Sequence, residues 1–397
     1  MIYNSMLDTD FYTFSMQQLA LHQCSGAWVR YSFKWRNWDK MKLRISMDDF
    51  VGRIKKEVDH LCTLRFTEDE LKYLSSIPYL KRDFIEYLRL FQLNRAYIKI
   101  HNVHGLLVID VEGPWLTTMP FEEPILAIVS QLYTENSVSK VIWLPEARKR
   151  LKDKFAMLYA GLHKDQTFKF AEFGTRRRAD AEWQDELVGF IVQNYGKYFV
   201  GTSNVMLAKK YGVKPIGTMA HQLFQVHQQL GPRLADSQSA ALQAWTNEYR
   251  GELGIALSDT LGFDAFLKDF DRYFALLFDG CRHDSGDPIW WAEKLIAHYK
   301  KLRIDPRTKA AIFSDGINFE VALDLFRRFH NEINVSFGIG TYLTNDCGFE
   351  APQIVMKPVE CNGRPVAKIS NSVGKGMCDD PEFQNYLMKV IREKIAG

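Results

Sequence analysis

The sequence has no cysteine pair at the spacing of a metal or redox site. Its six cysteines (Cys24, Cys62, Cys281, Cys347, Cys361 and Cys378) are scattered through 397 residues, with no CxxC and no histidine at zinc-finger spacing. A disulfide framework would be denser and a structural zinc site more clustered, so reduced thiols in the cytoplasm are expected. No apolar run approaches the roughly 18 residues of a membrane span, which argues against a membrane partner. The opening MIYNSMLDTDFY carries neither the basic nor the apolar region of a secretory signal. An excess of one charge is also lacking: 51 basic against 48 acidic residues leave a net charge of +3. That excludes a broad cationic field for nucleic acid and leaves anion binding to local clusters. Neither a GxxxxGK[ST] loop nor a GxGxxG fingerprint occurs, so ATP, if bound, is held without a Walker motif.

What is present is ordinary in bulk, with 46% hydrophobic and 25% charged residues over a length that suits two domains or a large barrel with additions. In the first third, residues 11–22 read as helix, and Thr67 with Glu70 forms a capping-box start for a helix reaching about Ser75. Another helix follows Pro78, and residues 97–111 alternate around a turn at Asn102–Gly105. This part reads as a small α/β domain. From about residue 165, short apolar strands alternate with helical stretches such as Trp290–Lys301 and Phe319–Arg328. The strands read as Phe168–Phe173, Phe199–Thr202, Pro215–Thr218, Ile255–Ser258, Gly280–His283, Ala310–Phe313 and Val335–Gly338. Seven successive βα units favour a closed or nearly closed α/β barrel of TIM-like type. Ile354–Ile369 then reads as a hairpin turning at Asn362–Gly363, followed by a helix over about 381–394.

Barrel active sites lie at the C-terminal ends of the strands, and here those ends are polar almost without exception. Residues 172–178, EFGTRRR, place three arginines after a strand; Arg176 is the candidate phosphate contact, with Arg177 and Arg178 free to be surface residues. His221 follows Gly217 and Thr218 after a strand, where an imidazole can serve as nucleophile or base, and Asp259 at the next strand end can orient it and fix its tautomer. His227, His298 and His330 lie in helical stretches and read as structural. Arg282-His283-Asp284-Ser285-Gly286-Asp287 combines a cation, two carboxylates and a glycine, and suits a ribose and metal site. Ser314-Asp315-Gly316 and Gly338-Ile339-Gly340-Thr341 read as phosphate cradles. Together the rim suits a doubly phosphorylated, metal-bound sugar.

In order along nearly the whole chain, Asp8-Thr9-Asp10-Phe11-Tyr12 with Met16, EFGTRRR, GTSN at 201–204, GTMAH at 217–221, RHDSGDP at 282–288, FSDG at 313–316 and FGIGT at 337–341 resemble the signature segments of the nicotinate phosphoribosyltransferase family. The acidic-doublet loop of the other large phosphoribosyltransferase class is absent, since Asp48-Asp49 lacks a preceding hydrophobic strand. The resemblance implies an irregular α/β barrel over 146–352 joined to a smaller N-terminal α/β domain, 1–145, completed by 353–397, in a head-to-tail homodimer. By that likeness ATP phosphorylates His221, with Asp259 beside it. Phe173 and Tyr12 sandwich the pyridine, Tyr12 arriving from the other subunit, while Arg282 binds the nicotinate carboxylate and Thr218 lines the pocket. Arg176, Asp284, Gly316 and Thr341 hold the phosphoribosyl group and its Mg²⁺-bound pyrophosphate, with Ser314, Asp315 and Gly340 in the same cradles. No role carries over to Gln222.

The nearest rival substrate is nicotinamide. In related nicotinamide enzymes an aspartate stands where this chain has Ser203; a carboxylate would repel nicotinate, whereas a hydroxyl can donate to it, so Ser203 favours the acid. Quinolinate would want further cations. A non-catalytic barrel sensing a phosphorylated metabolite is the reading from a different class.

Overall fold

Two β-sheets carry the architecture in the computed structural model, which describes residues 1–162, 167–372 and 374–396. The N-terminal third supplies β1 (Trp28–Trp35), β2 (Ile98–Val103) and β3 (Leu106–Pro114). The next stretch supplies β4 (Phe170–Glu172), β5 (Phe199–Thr202), β6 (Ile255–Leu257), β7 (Gly280–His283), β8 (Ala310–Phe313) and β9 (Asn334–Ile339). The chain then returns with β10 (Ile354–Cys361) and β11 (Arg364–Pro365). The first sheet, ordered β11-β10-β1-β3-β2, is antiparallel throughout. On β3, Leu107, Ile109 and Val111 are buried and alternate with more exposed residues, the period expected of a sheet with one wet face.

The second sheet, β5-β4-β9-β8-β7-β6, is parallel, with helices between its strands. Six strands form instead of the seven expected, because Pro215–Thr218 is not a regular strand. It fills the gap between the two edge strands: Pro215 bridges Thr202, the Ile216 amide donates to the Thr202 carbonyl at 2.9 Å, and the Thr218 hydroxyl donates to the Ile255 carbonyl at 2.8 Å. Proline has no amide to give a ladder, so the segment closes the barrel by single bonds to each side. Gly201 makes the approach possible; a Cβ there would lie 2.0 Å from the Lys214 carbonyl oxygen.

Local signals explain most helices. Thr67 and Glu70 form the capping box of Glu68–Ser75, and Asp287 caps Pro288–Lys301, with proline in the first turn where its missing amide costs nothing. In Phe319–Phe329 the buried Phe319, Ala322, Leu323, Phe326 and Phe329 recur at helical spacing. Rings knit the barrel core: Phe168 stacks on Phe337 at 5.1 Å, Phe337 on Phe313 at 5.8 Å, and Phe313 meets Trp291 edge-on. Among the described residues no helix is long and apolar enough to cross a membrane.

The helix Phe11–Gln23 joins the two sheets through the segment before it. Arg178, expected to be free for the surface, is 1% exposed and forms a fork to both carboxylate oxygens of Asp8 at 2.7 Å. Asn204 donates to the same Asp8 at 2.7 Å. Backbone bonds continue the seam, from Val205 to Thr9, Met206 to Leu7 and Phe11 to Ser203. A paired buried charge is tolerable, but an orphaned one is not. Arg178→Met should therefore lower stability by about 3–5 kcal/mol, read from the denaturant midpoint; a loss below about 1 kcal/mol would mean that the seam does not depend on this pair.

Candidate active site

His221 opens the helix His221–Leu230 and is 4% exposed. Its Nε2 lies 2.9 Å from Asp259 Oδ1 and 3.3 Å from Asp284 Oδ2. Both neighbours are carboxylate oxygens, which only accept, so Nε2 carries the proton and Nδ1 keeps the lone pair. Asp259 is itself held from its other side. Lys368 Nζ approaches Oδ2 at 3.0 Å, and the Ser285 hydroxyl donates to that oxygen at 2.6 Å. Burial opposes charge on Asp259, but Lys368 and then His221 outweigh it and hold the carboxyl well below its usual range. Burial, and then Lys368, bring His221 down to about 4, leaving a neutral imidazole at pH 7.

Arg282, on β7, donates to the Met219 carbonyl at 3.2 Å, while its Nε is buried with no hydrogen-bond partner. A buried guanidinium edge without an acceptor is a ready seat for a ligand carboxylate. Phe173 lies against Gly338, where a Cβ would come within 2.4 Å of the ring, so the glycine is what leaves room for the ring against β9. Arg176 is part-exposed and faces Glu123 at 3.6 Å. Ser314 bonds the His283 carbonyl at 2.9 Å and Asp284 at 3.0 Å. Gly316 adopts φ of 62° with open space where a Cβ would be, while Gly340 and Thr341 start a short turn of helix beside Phe173.

Several expected positions behave differently. Tyr12 packs against the barrel of its own chain. Its helix begins on the Ser203 carbonyl, its amide lies where a Cβ of Gly217 would come within 2.9 Å, and its phenol donates to Glu123. The Ser203 hydroxyl donates to Asp10 at 2.7 Å, so that proton is already committed. The Thr218 hydroxyl is likewise committed to barrel closure. Asp315 pairs with Lys375 instead of standing free in its turn. Arg177 is half-buried and bonds the Ile354 carbonyl at 3.0 Å. Gln222 is wholly structural: it accepts from Tyr31 and Trp115 and donates to Glu122.

Sequence reasoning missed Asp10, Glu123, Lys368, Ser285 and Lys375, which come from the N-terminal segment, a helix before the barrel, the residue next to Asp284 and the C-terminal segment. Asp10 and Ser285 carried a signal, as parts of the Asp8–Tyr12 segment and of the Arg-His-Asp-Ser-Gly-Asp run. The carboxylates of Asp259 and Asp284 and the His221 ring offer ligand atoms within 4.8 Å of one another. A cation between all three would face the Lys368 ammonium. Asp284, 27% exposed against 2% for Asp259, is the one that fits Mg²⁺, an ion bound typically by one or two carboxylates plus substrate phosphates.

Comparison with known proteins agrees with this geometry. Residues 168–394 match the model of the nicotinate phosphoribosyltransferase (NAPRTase) family, and residues 7–130 match that of its N-terminal domain. A nicotinate phosphoribosyltransferase of Xylella fastidiosa (strain 9a5c) is 48% identical over 392 residues, covering 98% of each chain. The crystal structure of one from Vibrio cholerae superposes with a TM-score of 0.90 at 37% identity, covering 98% of this chain and 94% of that one. The structure of one from Porphyromonas gingivalis gives 0.90 at 31% identity, covering 98% and 100%. The chain belongs to the nicotinate phosphoribosyltransferase family.

The electrostatics of His221 can be measured. Its ring signals should stay in the neutral form from pH 8 down to about 5 and titrate near pH 4. The unfolded chain takes that proton near pH 6.5, so the stability contributed by the neutral ring is full above 6.5 and declines as pH falls toward 4. An NMR midpoint near 6.5 would mean that the ring is solvated.

Proposed function

We propose that this protein transfers the phosphoribosyl group of 5-phosphoribosyl 1-pyrophosphate to nicotinate, giving nicotinate mononucleotide and pyrophosphate for NAD biosynthesis, with ATP hydrolysis coupled through a phosphohistidine at His221. The observation that carries this reading is the meeting on one rim of Arg282, with a buried unpartnered Nε, and a neutral His221 held by Asp259.

The pyridine nitrogen attacks the anomeric carbon and needs no proton removed. The costs are alignment of two partners and support of a cationic sugar beside departing pyrophosphate. Arg282 takes the nicotinate carboxylate, and Phe173 and Tyr12 supply aromatic walls. Arg176, the open turn at Gly316 and the Gly340–Thr341 turn serve the phosphates, with Ser314 orienting Asp284. Asp284 would hold Mg²⁺, which when bound would supply neutralisation of the pyrophosphate charge.

ATP chemistry falls to His221. Its Nδ1 lone pair forms the bond to the γ-phosphorus, the bond from phosphorus to the bridging oxygen breaks, and that electron pair leaves on ADP. Asp259 holds the Nε2 proton and supports the positive ring that forms. The added phosphoryl charge can order the arginine-bearing rim and tie hydrolysis to product formation.

One observation favours the nicotinamide alternative. Asp10, beside Ser203, is an acceptor of the kind an amide NH₂ needs. Preference for the acid therefore rests on Arg282. Six free thiols suit a reducing compartment, and we place the enzyme in the cytoplasm. By the family resemblance it works as a head-to-tail homodimer with shared sites, each taking Tyr12 from the other subunit.

The test is one assay of nicotinate and nicotinamide, each with and without ATP, on wild type and His221→Asn. Nicotinate should be consumed and nicotinamide should not. ATP should stimulate the wild type only, and acid-labile labelling from γ-labelled ATP should vanish in the variant. Turnover of nicotinamide alone would overturn the substrate assignment, and undiminished labelling would overturn the role of His221.

A further inference from the structure

Glu172 ends β4 and is fully buried. One carboxylate oxygen reaches past Phe173 to accept the Gly174 amide, and the other accepts the Thr202 hydroxyl at 2.6 Å. Gln184 Nε2 donates to both oxygens at 3.2 Å, its orientation fixed because Gln184 Oε1 accepts from Arg178 at 3.1 Å. The backbone of Glu172 adds a further tie, its carbonyl accepting the Ser203 amide at 2.8 Å. Phe173 therefore sits between two held peptide groups. Its own amide donates to the Ile339 carbonyl at 2.9 Å, and the amide after it is the one on Glu172.

We propose that Glu172 is a positioning residue for the pyridine subsite: by gripping the Gly174 amide and the Thr202 hydroxyl, its carboxyl group fixes the Phe173 backbone relative to the end of β5, and with it the wall that nicotinate stacks on. This rests on the reading above in which Phe173 walls the pyridine.

The direction of a ring follows from its backbone and its χ1 rotamer. If the peptide after Phe173 could turn, the substrate would have to order the ring on binding, and that ordering subtracts from affinity. Acceptor capacity matters here more than charge. Burial pushes the Glu172 carboxyl up to about 7. A proton taken up near that pH can be donated to the Thr202 hydroxyl, which can turn to accept it, while the oxygen on Gly174 remains an acceptor. Glutamine at 172 reproduces that neutral arrangement. Methionine, of similar length, leaves the Gly174 amide and the Gln184 NH₂ group without partners in the interior.

Steady-state kinetics of the intact enzyme test this, with nicotinate varied at saturating phosphoribosyl pyrophosphate and ATP. Glu172→Met should raise the KM for nicotinate about tenfold and leave kcat within about threefold. Glu172→Gln should stay within about twofold of wild type in KM. Thr202→Val, nearly isosteric, removes one anchor and should raise KM about threefold, so the proposal can be judged even if the methionine variant does not fold. A merely structural loss lowers the active fraction, and so kcat, without moving KM. A double-mutant cycle locates the effect. In a Phe173→Leu background both factors should shrink to near one, because no ring is left to position. Factors that persist unchanged without the ring, or a KM unmoved by both Glu172→Met and Thr202→Val, would overturn the role of Glu172. A KM for nicotinate that Phe173→Leu itself leaves unchanged would instead overturn the reading of the wall on which it rests.

Discussion

The fork between Arg178 and Asp8 decides where the N-terminal segment meets the barrel. Arg178 ends the arginine run that follows β4, Asp8 precedes the helix Phe11–Gln23, and both are buried. Once this pair forms, Asn204 is drawn to Asp8 and the chain from Leu7 to Phe11 lies along the end of β5, amide by amide. Asp10 and Tyr12 have no freedom after that. The pair stabilises little by itself, since desolvation offsets most of the attraction. Its importance is positional: it excludes other registers, because any slip would leave a guanidinium or a carboxylate alone in the core.

A second constraint sets the character of His221. In a Ser-His-Asp triad the aspartate stabilises the imidazolium formed when the histidine takes a proton. Here the aspartate is shared with Lys368 and Ser285, and burial with Lys368 keeps the ring neutral while Asp259 holds its Nε2 proton. The Nδ1 lone pair is thereby left free on a neutral ring.

Much of this was readable in the order of the residues. The strand boundaries at 199–202, 280–283 and 310–313 were fully recoverable, because short apolar runs bounded by glycine or polar residues leave little choice. The capping box at Thr67 and the hairpin turn at Asn362–Gly363 were readable for similar local reasons. Pro215–Thr218 had the composition of a strand, yet its pairing depends on the close approach that Gly201 permits, which no local pattern records. The strand-end residues around His221 were found because barrel geometry names them. Glu123 and Lys368 were not, since a buried ion partner from a distant segment has no period and no motif. The Arg178 reading failed for the same reason: a charged residue signals its burial only through its partner, and Asp8 is 170 positions away.

The antiparallel match of β1 with β10 also bears on how the chain is made. The strand near the N-terminus must wait for one near the C-terminus, and until it arrives the side of β1 that β10 will cover offers unpaired amides and carbonyls to any passing strand. Contacts so distant in sequence slow folding and lengthen that exposure. The sequence of β1, WVRYSFKW, sets Arg30 and Lys34 among its rings and Val29. Cations on a waiting edge repel a second copy of the same strand, and on completion Arg30 is neutralised by Glu360 of the arriving β10. The charge that discourages the wrong partner during synthesis is the one that the right partner satisfies.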